Sequence, residues 1–244
     1  MRAARALSLA CLAGACSGSD APEPLPEAEL SPVVREALSG LPDPEALASV
    51  EPADPEEVDS LVEMLNTSTA RMRDIPRGAV AEELGAAAIP RLTEILRDPS
   101  RDSPTRLAAA ELLSVIGDRR AAAVMVDALY TASEPWIRQW SAFYLGEMGQ
   151  DWIVPDLLLR MRYEKDPGTF VWIASALARF QNFSGLDALL DVANAGSTEE
   201  LRAQARGQLD GIASRVGAPI EEVRATWFSI DAPCLLYTSD AADE

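Results

Sequence analysis

Glycine recurs at a fixed interval in this chain. Gly85, Gly117 and Gly149 are each 32 residues apart, Gln181 falls in the same phase, and Gly217 follows after 36. An apolar residue precedes each mark: Leu84, Ile116, Met148, Phe180 and Val216. Seven positions before the mark sits a small residue in four units, Gly78, Ala110, Ala142 and Ala174, whereas the fifth carries Asp210. Four positions before come Ala81, Leu113, Leu145, Leu177 and Ala213. Apolar residues recur at three and four on both sides of the marks, so each unit reads as a first helix, a tight turn and a second helix. Such a pair has one apolar face too large to bury alone. Copies at a fixed offset bury that face on one another. The spacing therefore predicts an all-α fold, an α-solenoid of stacked antiparallel helix pairs.

The second helices open in the stretches AAAIPRLTEILRD, DRRAAAVMVDALYTA, QDWIVPDLLLRMR, NFSGLDALLDVAN and APIEEVRATWFS. The alanine of the first helix, the glycine turn and the starts Ile89-Pro90-Arg91-Leu92 and Val154-Pro155-Asp156-Leu157 resemble the short bacterial HEAT repeats, the type also found in phycobilisome-lyase-like proteins. The resemblance covers about residues 75–229. Tetratricopeptide repeats have a similar period and stay as an alternative, although their Trp-Leu-Gly-Tyr-Ala-Pro signature does not recur in phase. The repeats are placed at about 75–98, 104–132, 135–164, 168–195 and 198–229 within a solenoid over 55–233. Helices at 55–74 are expected to cap the first unit. The last pair is expected to fray, or to expose Trp227 and Phe228.

The chain carries a net charge of −18 and contains no histidine. A field of that sign repels phosphate backbones, which argues against a nucleic-acid partner. The three cysteines are Cys11, Cys16 and Cys234, so the repeat region holds neither thiol nor imidazole. That excludes Cys/His zinc sites, Ser-His-Asp triads and Cys-His dyads there. No phosphate-binding glycine loop and no cluster of metal ligands stands out, so neither a cofactor nor a metal is expected.

Residues 1–16 begin with arginines and continue in an apolar run too short to span a bilayer, as export signals do. Leu12-Ala13-Gly14-Ala15-Cys16 resembles a bacterial lipobox, in which the cysteine is lipidated and becomes the mature N-terminus; the leucine stands one position further from the cysteine than usual. The resemblance implies a lipid on Cys16. Ala13-Gly14-Ala15 also satisfies the small-x-small rule of ordinary signal cleavage, which would yield an unanchored periplasmic protein. Ser17, where an inner-membrane lipoprotein would carry Asp, points by the same resemblance to the outer membrane, facing the periplasm. Residues 17–54 are proline-rich and acidic, a composition that extends a chain and suits a tether. The final stretch CLLYTSDAADE, residues 234–244, has no helical period. Its back-translation resembles the transposase-adapter end of sequencing libraries, and it is read as an adapter artefact beyond which the gene continues.

Eleven of the 14 aromatic residues lie between Tyr130 and Phe183. Trp136 and Trp140 share a helical face, Trp140 and Trp172 occupy equivalent positions in adjacent units, and Trp152 opens a second helix. Aromatic residues anchor interfaces, with core packing between repeats as the competing use. By resemblance to HEAT arrays, whose second helices line the concave surface, Arg91, Arg120, Asp127, Asp156, Arg160, Asp187 and Asp191 would present mixed charge to a partner. The expectation is a non-enzymatic scaffold of the bacterial envelope, membrane-held by its lipid and binding an unidentified protein or peptide. The alternative is a regulatory subunit or enzyme of the lyase-like group using the concave carboxylates.

Overall fold

The computed structural model describes residues 53–67 and 84–230, together with Pro32. The leader with Cys16, the tether up to residue 52, residues 68–83 with Gly78 and Ala81, and the 234–244 tail lie outside the described residues.

Among the described residues there are ten α-helices and no strand. They are α1 (Pro55–Thr67), α2 (Ile89–Arg97), α3 (Ser103–Ile116), α4 (Arg119–Thr131), α5 (Pro135–Met148), α6 (Val154–Tyr163), α7 (Pro167–Arg179), α8 (Phe183–Ala195), α9 (Glu199–Val216) and α10 (Ile220–Ile230). Single 3-10 turns, Gly85–Ala88 and Asp151–Ile153, lead into α2 and α6. First helices α3, α5, α7 and α9 pack in succession, and α2, α4 and α6 contact in succession beside them. This is the α-solenoid that the period predicts.

The five phase marks all adopt a positive φ: Gly85 at 45°, Gly117 and Gly149 at 65°, Gly217 at 73°, and the non-glycine Gln181 at 57°. At Gly117, Gly149, Gln181 and Gly217 the left-handed residue stands at the end of a described first helix, where it reverses the chain. Helix starts share the period. Asp102, Glu134, Asp166 and Thr198 are the N-caps of the first helices, and Asp102, Asp166 and Thr198 accept from the third following backbone N–H. Proline occupies the first turn of α3, α5 and α7, where its missing N–H leaves no bond unmade.

The small residues of the first helices are contact points. Ala110, Ala142 and Ala174 are buried. A side chain added at Gly185 in α8 would lie 2.5 Å from Leu177 Cβ, 2.6 Å from Ala174 O and 2.8 Å from Ala178 N, so α7 and α8 touch backbone to backbone there. Two apolar cores result, one running from Val58 to Leu177 and one from Val171 to Trp227. Helix α7 serves both: Ile173, Ala176 and Leu177 face the first, Val171, Ala174 and Ala178 the second. Helix α1 packs on α3 through Val58, Val62 and Leu65 and leaves Glu56, Glu57 and Glu63 exposed, the polar outer face that a terminal unit needs.

The far end differs from expectation. Helix α10 runs through Ile230, and Trp227 is buried against Phe183, ring centroids 5.6 Å apart. Helix α10 folds back over α8 and α9, so the indole fills the second core instead of meeting solvent. Phe228's side chain lies outside the described residues.

A second period, absent from the glycine pattern, is an arginine at 106, 138 and 202, with Phe170 taking the intervening phase. Arg106 Nε donates to Leu96 O at 2.9 Å, Arg138 Nη1 to Ala132 O and Ser133 O at 2.9 and 3.0 Å, and Arg202 Nη1 to Gly196 O. These carbonyls end the preceding second helix, where four acceptors lack intrahelical donors. Each arginine thus ties a first helix to the end of the helix before it. Arg106 also bonds Glu134 at 2.7 Å, and the Arg106 guanidinium holds the Glu134 carboxyl below its ordinary range.

Two outcomes test this account. Gly149→Ala meets no neighbour within 4 Å and costs only backbone strain, about 1–2 kcal/mol, whereas Gly185→Ala forces two backbones apart and is expected to cost more, about 3 kcal/mol. Urea midpoints of the two variants read the order, and equal losses would contradict the close approach. In acid, Glu134, Asp59 beside Arg91 and Asp118 beside Arg120 all have lowered pKa values. Their stabilisation is complete above the unfolded values, near pH 4–5, and is lost as pH falls through the lower folded values. Glu134→Gln should flatten the fall in stability between about pH 5 and 2; an unchanged slope would remove Glu134 from that linkage.

Candidate interaction surface

The aromatic residues of α5 and α7 meet across the repeat boundary. Trp140 stacks on Trp172 with centroids 6.2 Å apart and planes at 25°, and Phe143 stands edge-on to both at 5.4 and 5.5 Å. Tyr144 completes the group, 5.8 Å from Trp140. Trp140, Phe143 and Trp172 are half-buried, while Tyr144 is buried. The cluster therefore holds two repeats together against the first core while Trp140, Phe143 and Trp172 stay partly accessible. Arg179, 5.1 Å from the Phe143 centroid and paired with Glu147, closes one end of the strip.

Trp136 and Trp152 are half-buried and lie outside that cluster. Arg106 stands 5.5 Å over Trp136, and Arg119 stands 5.0 Å over Trp152. A cation over an aromatic face is attracted by its quadrupole, so each tryptophan is covered on one side by an arginine of the preceding unit. Trp152 Nε1 donates to Gln150 Oε1 at 2.7 Å.

The charged residues do not form one open polar groove. Arg91 is bidentate to Asp59 at 2.8 Å and also bonds Glu94. Asp127 takes Arg97 at 2.5 Å, and Asp187 takes Arg224 at 2.8 Å. These pairs run sideways between neighbouring units, and pairs this exposed contribute little each. Arg120 folds back on Asp118, the N-cap of its own helix, at 2.9 Å. Asp191 is exposed on α8.

Asp156 and Arg160, expected on the surface, are buried instead. Arg160 Nε donates to Leu129 O at 3.1 Å and Nη2 to Glu164 at 2.6 Å, and Arg138 bonds the same Glu164 carboxylate at 3.1 and 3.2 Å. The Glu164 side chain is fully buried and also accepts the backbone N–H groups of Lys165 and Asp166. Two guanidiniums share one carboxylate under the α6–α7 turn, and their remaining donors satisfy carbonyls at the end of α4. Burial lowers the pKa of Arg160. The Asp156 backbone carbonyl accepts Tyr130 Oη at 2.8 Å, which draws the start of α6 against α4. Helical spacing places Arg160 one turn before Glu164, but Arg138 reaches the same carboxylate from the preceding helix α5, and spacing along one helix carries no sign of it.

Among the described residues no group of three or more acidic or sulfur side chains could hold a metal ion, and no helix is long and apolar enough to cross a membrane.

Comparison with known proteins gives one family. No curated protein matches the chain. The family model for HEAT repeats matches residues 72–146, which include α2, α3, α4 and most of α5, and this match supports a HEAT-repeat domain in the chain.

Proposed function

We propose that this protein is a non-enzymatic scaffold that binds a protein or peptide partner along the exposed edge of its helical stack. The observation that carries the reading is the half-buried strip of Trp140, Phe143 and Trp172, in which three large rings of adjacent repeats pack on one another and stay partly accessible. Rings locked by stacking lose little conformational entropy on binding and are the commonest anchors of interfaces. The match to HEAT repeats supports it, because stacked repeats offer extended, preformed surfaces. The lipobox-like Leu12–Cys16 stretch and the acidic tether support a place in the bacterial envelope, the solenoid held off the outer membrane by lipid on Cys16.

A photo-crosslinking amino acid at Gln139, beside the strip, should give a discrete heavier adduct in envelope preparations. The same probe at Glu63, on the outer face of α1, should not. Trp172→Ala should diminish the adduct from Gln139, with helicity by circular dichroism retained. Adducts of equal yield from both positions, or from neither, contradict the surface. For the anchor, Cys16→Ala is expected to move the protein from the membrane to the soluble fraction; unchanged membrane retention rules out lipidation there.

A further inference from the structure

A cavity of about 250 Å³ opens where α7 ends, between α9 and α10. Ala178, Ile212 and Val216 form its apolar wall, and Arg179, Gln181, Arg215 and Trp227 supply the polar groups. It adjoins the aromatic strip only through Arg179, which also stands over Phe143, and three features set it off from the rest of the stack.

The first is an orphaned donor. Trp227 is buried, yet its Nε1–H has no acceptor among the described residues. An indole N–H can only donate, and leaving it unpaired costs about 1–3 kcal/mol. The second is charge. Arg179 and Arg215 converge on one carboxylate, that of Glu147, leaving a positive surplus in a chain of net charge −18. Burial, and secondarily the Arg215 cation, push the Arg179 pKa down to about 10. The third is strain. Gln181 is the one non-glycine residue with positive φ among the described residues, at the mark where the other units carry glycine. A side chain in that conformation costs about 1–2 kcal/mol. Strain of this kind gathers at ligand sites, and Gln181 lines the cavity.

We infer that this cavity binds a small carboxylate carried beside a short aliphatic group, as at the C-terminal end of a peptide or in a free branched-chain acid. The guanidiniums of Arg179 and Arg215 take the carboxylate in charge-assisted bonds, and Ala178, Ile212 and Val216 take the aliphatic group. The Gln181 amide and the Trp227 indole serve the atoms between. The volume lies below that of pockets for drug-sized ligands, so one terminal residue is the natural occupant. Glu147 is exposed and outside the lining, so an incoming carboxylate competes with it for both arginines.

The test uses the full chain at low salt and isothermal titration with three probes: acetyl-Gly-Ala-Val with a free carboxylate, the same peptide as its C-terminal amide, and isovalerate. The free carboxylate should bind at least about ten-fold more tightly than the amide, the loss of one charge-assisted contact. Glu147→Gln, which removes the resident anion, should tighten binding. Arg215→Gln and Trp227→Phe should weaken it. Gln181→Gly should raise the urea midpoint and weaken binding together, whereas a purely structural Gln181 would change the midpoint alone. Binding of the peptide but not isovalerate makes chain termini the source of the carboxylate; equal binding makes it free acids, and both support the site. No heat from either acid at millimolar concentration, equal binding of acid and amide, or weaker binding by Glu147→Gln overturns it. That failure leaves the scaffold reading standing, because the crosslink from Gln139 and its loss in Trp172→Ala are read without these probes.

Discussion

The left-handed turn after each first helix is the constraint on which the stack depends. It reverses the chain in one residue, so both helices of a unit start at set phases, and units of equal length repeat the same geometry. Ala110, Ala142 and Ala174 then fall at equivalent points of α3, α5 and α7, and their small side chains let neighbouring helices approach. Burial follows from that register. Neither core belongs to one helix pair, and α7 contributes a different set of residues to each. A change in turn length would shift every later contact by one residue, and the left-handed turn is present at Gln181 as it is at the glycines.

Polar groups solve a problem that apolar stacking creates. Bringing second-helix ends under the next first helix strands carbonyls that water can no longer reach, and unpaired buried acceptors are costly. The arginines at 106, 138 and 202 supply the missing donors. Around Arg138 the arrangement deepens into a fully buried group with Arg160 and Glu164. Such a group adds little net stability beyond an apolar equivalent, but removing one member leaves an uncompensated charge, so it holds the α4, α5 and α6 ends in a single arrangement.

Surface chemistry concentrates where the repeat pattern is broken. Alanine 108 occupies the phase of Trp140 and Trp172 in the preceding unit, and Gln204 occupies it in the following one, so the aromatic strip is confined to α5 and α7. The cavity beside Trp227 likewise sits at the unit whose turn is not glycine and whose spacing to the next mark is 36 residues instead of 32. A uniform array has no special place along its length, and departures from the period create one.

The helix pairs, their phase and the turn positions are legible along the chain, because glycine, cap residues and apolar spacing act over a few residues and each leaves a local mark. The register of Trp140 and Trp172 is legible too, since equal offset means equal position. Which charges are surface and which are core depends on contacts between helices. Asp156 and Arg160 have the spacing of an exposed helical face, yet they are buried, because Arg138 reaches across from the first helix of the same unit to share Glu164 with Arg160 and Tyr130 reaches the Asp156 carbonyl from the preceding unit. Trp227 was equally illegible: its burial depends on α10 turning back over α8 and α9, a packing decision between distant residues. Local propensity is written along the chain, but the partner of a long side chain is chosen across it.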